Sequence, residues 1–353
     1  MFVANAEGGT VTILDGRTFT KIRTINVIPE GTEPDPAQDP AQAAAYPALE
    51  EAGGKNYAQD LDVSPDGKVL YVSRGHFGDV MAFDIKSGEK LWRVDVSGIR
   101  SDHMTLSDDG RLLYVSAIFE NKVEIIDTKK HEIVGSFPTG EWPHDNVLSP
   151  DGQIVYNGSM GNVLTPGETR DQNAQSYVLT VANAINFEVL KTYEFNRGIR
   201  PFVLTANGRR MYAQLSEFHG LVEVSLRTGR ILRRLRLPVK KGITEEDYDF
   251  EAPHHGLALS PDEKYLCVAG RASDYVAIVS RRRMKAVKFI RVDDAPGWAE
   301  NSPNGRRCVV TSTRANTVSA ISYRTKRKVA EVKVGRGPKY LTEAWLPESV
   351  LRP

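Results

Sequence analysis

The chain has 353 residues, 41% of them hydrophobic and 26% charged, a balance that excludes intrinsic disorder, collagen and low-complexity fibres. Lys and Arg number 46 against 45 Asp and Glu, and a net charge of +1 gives no global field that favours nucleic acid or an anionic membrane as partner. No apolar run approaches the roughly 18 residues of a membrane span, and the chain opens on MFVANAEGGTVTILD without a basic and apolar leader. Its two cysteines, Cys267 and Cys308, form no CxxC or CxxCH motif and read as small core residues, so the expected setting is reducing and cytoplasmic.

In chain order, FVANAEGGTVTILDGRTFTKIRTINV comes first and supplies three short strands. A Pro/Ala-rich stretch runs from Pro29 to Asn56. The chain then repeats a turn phrase: SPDG at Ser64, SDDG at Ser107, SPDG at Ser149, TANG at Thr205, SPDE at Ser260 and SPNG at Ser302, with spacings of 43, 42, 56, 55 and 42. Each copy leads into an apolar run such as VLYVS, then a loop, a second β-rich run such as NKVEIID, a polar turn, and a third such as KLWRVDV. A Gly or Pro introduces the strand that runs into the next copy. Four short strands per roughly 42 residues predict propeller blades. The terminal GPKYLTEAWL supplies a lone first strand, which completes the three strands at the N-terminus, so the expected fold is one all-β, seven-bladed propeller over residues 1–353, closed by its own termini. Deviations from the repeat predict insertions at about 29–56, 158–176 and 238–253, all on connections that open on one face, as over a lidded site.

The wording of the units, PDGxxLYV, then VxxID, then xxVGxxP, resembles the YVTN-repeat β-propeller family, including its lactonase-like members, over essentially the whole chain. The resemblance implies the fold. It spans lactonases, antibiotic lyases, amine dehydrogenase subunits, haem-binding nitrite reductase propellers and interaction scaffolds, so it implies no single activity and transfers no catalytic residue.

The inner strand of each blade lines the axis, and aligned on the turn phrase the inner strands begin YAQDLDV, SDHMTL, PHDNVL, RPFVL, PHHGLAL, PGWAEN and PKYLTEA. Four of seven histidines fall in these starts. His103, His144 and His255, from three blades, are candidate ligands of a divalent metal ion, with Asp60 or Glu300 as a fourth, because first-row ions accept imidazole and carboxylate together. His254 and Asp145, each one residue from a proposed ligand, are candidates for the general acid or base. Arg74, Arg200, Arg271, Arg314 and Lys339 gather at the same rim as candidate holders of a small anionic molecule, with Trp298 as an apolar wall. No GxSxG, GxxxxGK[ST], HExxH or GxGxxG motif is present, which leaves serine hydrolase and nucleotide-dependent chemistry unsupported. The expected function is a lyase, lactonase or isomerase acting on an anionic substrate, with a divalent ion as cofactor. The alternatives are a propeller module that binds a protein partner, and a propeller holding a haem-type cofactor.

Overall fold

The computed structural model describes residues 1–163 and 176–351, so residues 164–175 of the second expected insertion lie outside the described part. The strands of the described residues form seven four-stranded antiparallel sheets. Counted from the first complete sheet, blade 1 runs from Asp60 to Asp95, blade 2 from Ser101 to Pro138, blade 3 from Pro143 to Glu194, blade 4 from Ile199 to Arg236, blade 5 from Leu257 to Arg291 and blade 6 from Pro296 to Lys333. Blade 7 joins the C-terminal strand Pro338–Thr342 to the N-terminal strands Phe2–Asn5, Thr10–Leu14 and Lys21–Asn26. The seven inner strands touch one another in cyclic order, blade 7 returning to blade 1, so the ring is closed.

The repeated turn phrase has a physical job at the junction of inner and second strands. The hydroxyl of Ser64 accepts from the Val69 backbone N–H at 2.9 Å, and Ser107, Ser149 and Ser260 accept likewise from Leu112, Ile154 and Tyr265 at 2.9, 3.0 and 3.0 Å. The turn also needs one residue in the left-handed region, supplied by Gly67 at φ 69° and, in the SPDE copy, by Glu263 at φ 52°.

Strand alternation then divides the apolar side chains between two blade interfaces. In blade 5, Cys267, Ala269, Val276 and Ile278 pack with Cys308, Val310 and Ile321 of blade 6, while Leu266, Val268 and Ala277 pack with Tyr212 and Leu221 of blade 4. Cys267 and Cys308 are joined in a disulfide that ties blade 5 to blade 6. This corrects the expectation of two reduced core thiols. The two cysteines occupy registers one residue apart, which in a single sheet would point them to opposite sides. Successive blades meet through opposite faces, so that offset is what brings the two sulfurs together. No described helix is long and apolar enough to cross a membrane.

Candidate active site

Aligned through the turns, the inner strands place one residue each in a top tier: Gln59, Asp102, His144, Arg200, His255, Gly297 and Lys339. All seven line one cavity of about 190 Å³ at the end of the axis. Strand registers slip between Ser101 and Met104, Pro143 and Asn146, Ile199 and Phe202, and Pro296 and Trp298. Such bulges re-aim consecutive side chains, which lets the next residue of each strand approach the axis as well. That second tier holds Asp60, His103, Asp145, Trp298 and Tyr340 as the floor beneath the cavity.

All three insertions reach the same cavity. Helix Pro40–Gly53 and the residues after it contribute Leu49, Lys55 and Asn56; the second contributes Met160 and Val163; the third contributes Asp249, Phe250 and Ala252. Phe119 and Trp142 add aromatic wall.

His103, His144 and His255 come together, each offering a ring nitrogen within 4.8 Å of the others. The Nε2 atoms of His144 and His255 are 3.4 Å apart. Two nitrogens held at ~2.05 Å by one tetrahedral ion would be separated by about 3.4 Å, so the spacing fits a shared cation. Two of the three rings are fixed from behind: His103 Nδ1 lies 2.6 Å from Asp60 Oδ2, and His255 Nδ1 lies 2.8 Å from the Gly297 carbonyl. A proton held at each Nδ1 leaves the Nε2 lone pair facing inward, the arrangement in which metal-binding histidines are oriented by their outer neighbours. His144 Nδ1 is buried without a partner. Burial pushes the pKa of all three imidazoles down, reinforced at His144 by the other two rings and at His255 by Arg271, which keeps them neutral. In this arrangement the Gln59 amide Nε2 lies 3.2 Å from His103 Nε2 and also donates to Asp102 Oδ1.

Other expected site residues fall elsewhere. Asp60 stands behind His103 and also accepts from the Met104 and Leu61 amides, so its carboxylate is engaged behind the candidate ligand and is not one of the clustered groups. Glu300 lies two residues beyond the floor residue Trp298, further from the cavity, where burial raises its pKa to about 7, and it joins no cluster with the histidines. His254 turns away from its neighbour His255: its Nε2 meets His219 Nδ1 at 3.0 Å, and His219 Nε2 meets the Ser273 hydroxyl at 3.0 Å, so the ring serves a buried network outside the cavity. Asp145 accepts from the Phe202 amide and sits in the floor, its pKa raised by burial to about 7. Trp298 is floor too, stacked on His103 at 4.9 Å and against Tyr340 at 4.3 Å.

The cations divide. Arg74 is fully buried in an ion pair with Asp79 at 2.7 Å, further joined by Glu30, and does not reach the cavity. Arg314 lies outside the lining and pairs with Asp249 at 2.7 Å. Arg271 lines the cavity and pairs with the same Asp249 at 2.9 Å. Arg200 lines it too, with its Nε on the Ser216 hydroxyl at 2.9 Å. Lys339 lines it, and Arg100, which sequence reasoning passed over because it precedes the strand start, stands beside it. Burial, with Arg100 next, pushes the Lys339 amine down to about 7. Asp102 was legible as one of the axial carboxylates, and Gln59 only as a tier position, since an amide side chain does not signal a site by itself.

The fold and this axial constellation define a seven-bladed β-propeller with a polar cavity at one end of its axis. Residues 2–134 match the family model described as "Lactonase, 7-bladed beta-propeller". A 115-residue stretch, 30% of this chain and 28% of the relative's length, is 28% identical to "Seven-bladed beta-propeller protein Rv1057" of Mycobacterium tuberculosis. Among solved structures, "Kuenenia stuttgartiensis Hydrazine Synthase" is similar with a TM-score of 0.71 at 19% identity over 91% of each chain, a likeness of fold.

Proposed function

We propose that this chain is a small-molecule enzyme of hydrolase or lyase type, acting on an anionic substrate in the axial cavity with a divalent ion held by His103, His144 and His255. The observation that carries the reading is the convergence of three imidazole nitrogens beneath a cavity whose wall takes one residue from every blade and includes cations. Three protein ligands below an open cavity leave coordination positions toward the substrate, the arrangement of catalytic and not of structural zinc. The similarity of residues 2–134 to lactonase-type propellers supports hydrolysis. When bound, the ion would polarise a carbonyl or acidify a water.

The remaining roles belong to the chain's own groups. Asp60 and the Gly297 carbonyl hold two ligands in the productive tautomer. Because the Gln59 amide sits on His103 Nε2, it would have to give way for that nitrogen to hold an ion. Asp102, on the cavity wall, is placed to exchange a proton with substrate, a role that the geometry favours for it over His254 and the floor residue Asp145. A cavity of about 190 Å³ lies below the roughly 300–1,000 Å³ typical of drug-sized ligand sites, which favours a compound of few heavy atoms over a haem-type macrocycle or a protein segment. The Cys267–Cys308 disulfide favours an oxidising compartment over the cytoplasm.

The test is metal analysis of protein purified without a histidine tag. We expect about one equivalent of a transition metal in the wild type, with loss in His144→Ala at unchanged circular dichroism. Less than about 0.1 equivalent after incubation with zinc, cobalt, manganese or nickel, together with melting indifferent to chelator, overturns the reading.

A further inference from the structure

Two features of the cavity wall are left over once the histidines are explained. The first is an unanswered pair of cations. Arg100 and Lys339 both line the cavity, and among the described residues neither side chain makes a hydrogen bond or ion pair; the Arg100 Nε is buried without a partner. Asp102 is the carboxylate nearest in charge to both, yet its Oδ1 is already taken by Gln59. Both residues are half-buried, and cations drawn partly out of water without a direct ion pair are stabilised when an anion arrives to meet them.

The second is a carboxylate that reaches into the ring of cations from outside the propeller repeat. Asp249 belongs to the third insertion, lines the cavity, and bridges Arg271 at 2.9 Å and Arg314 at 2.7 and 2.9 Å. The chain beside it is held in an unusual conformation, with Phe250 at φ 47° and Glu251 at φ 62°, both in the left-handed region that non-glycine residues rarely adopt. The Phe250 carbonyl accepts from Arg200, a second tether between this loop and the cavity wall. A side-chain carboxylate presented to a cavity arginine by a strained loop has the chemistry of a ligand's own carboxylate.

Building on the anionic-substrate reading above, we propose that the cavity takes a small dicarboxylate, one carboxylate seated on Arg100 and Lys339 and the other replacing Asp249 on Arg271. Asp249 is then an internal occupant of the second subsite, and substrate binding breaks its contact with Arg271 while Arg314 and Arg200 still hold the loop 245–252. A monocarboxylate fills the first subsite and leaves Asp249 in place.

The experiment is calorimetric titration of the metal-loaded protein at low salt with acetate, succinate and glutarate. In the wild type the better dicarboxylate should bind roughly tenfold more tightly than acetate, the value of one additional charge-assisted contact. Asp249→Asn should tighten dicarboxylate binding several-fold, on the order of 3 to 10, and leave acetate unchanged, because competition for Arg271 is removed. Arg271→Met should abolish the dicarboxylate advantage while acetate still binds, and Arg100→Met should weaken both. If Asp249→Asn weakens dicarboxylate binding, or if succinate, glutarate and acetate bind alike, Asp249 is a structural clamp and the proposal is overturned. The Arg271→Met variant keeps the test sharp should Asp249→Asn disturb the loop. Failure of the histidine site is separable: protein that binds no metal but retains the dicarboxylate pattern overturns the preceding reading alone, and protein that holds its metal without that pattern overturns this one.

Discussion

Reducing the Cys267–Cys308 bond should destabilise the ring measurably, because the link closes a loop of 41 residues between adjacent blades. In the chain-entropy description a loop of that length restricts the unfolded chain by about 13 cal/mol/K, or about 4 kcal/mol at 25 °C. Both sulfurs are fully buried and touch the blade 5 to blade 6 core, so reduction leaves the packing nearly intact and the loss is mainly that of the cross-link. With a urea dependence of about 3 kcal/mol per molar, the unfolding midpoint should fall by roughly 1 M. The assay is equilibrium urea unfolding followed by tryptophan fluorescence and circular dichroism, with and without reductant, alongside a Cys267→Ala, Cys308→Ala double variant. The variant should resemble the reduced wild type and be insensitive to reductant. Coincident curves for oxidised and reduced wild type, or two titratable thiols in denaturant without reductant, would refute both the cross-link and the compartment argument drawn from it.

Arg74→Met should lower stability by about 3–5 kcal/mol, since it leaves the fully buried Asp79 with Arg93 alone, yet should not alter succinate affinity; a change in affinity without a change in stability would return Arg74 to the cavity. Anion binding should weaken as pH rises through about 7, because the Lys339 amine carries its proton only below that value, and Lys339→Met should flatten the profile that calorimetry records. The facing groups leave that sign intact, Arg100, Arg200 and Arg271 staying charged and Asp102 opposing them. Truncating the chain before the strand Pro338–Thr342 should open blade 7 and cause aggregation, and a soluble product with one cooperative unfolding transition would contradict closure by the termini.

Much of the architecture was legible because a propeller writes its fold as a period. The six turn phrases locate six inner strands and the shared entry PGW/PKY locates the seventh, and the alignment puts Gln59, Asp102, His144, Arg200, His255, Gly297 and Lys339 at one level of the axis. What the period does not encode is direction. His254 and His255 are neighbours in sequence at a strand start, yet one turns to His219 and Ser273 and the other to the axis. Arg74 ends a second strand and Arg271 and Arg314 lie just past theirs, yet acidic partners decide their fates: Asp79, in the same blade, buries the first, and Asp249, from an insertion, takes the other two. The disulfide escaped for a related reason, since an offset of one residue reads as opposite faces until two blades are set side by side.

These misreadings share a cause that also explains why the cavity is chemically rich. A regular inner strand would send alternate residues to the axis, and His103 and His144, which stand one position apart in the common register, could not both approach it. The register slips at Ser101/Met104 and Pro143/Asn146 break the alternation in the two blades that supply them. Blade 5 reaches the same end around Gly256: the His255 N–H donates to the Ala269 carbonyl at 3.3 Å and the Gly256 carbonyl accepts from the Ala269 N–H at 2.9 Å, so two residues face one, and Gly256 stands at φ 134°, where a Cβ would lie 2.7 Å from the Trp298 backbone. Substituting Gly256 by Ala should therefore push blade 5 off blade 6 and misplace His255, so that metal affinity falls while His103 keeps its Asp60 contact. Unchanged metal affinity in that variant, at unchanged stability, would show that the close approach at Gly256 does not position the third histidine.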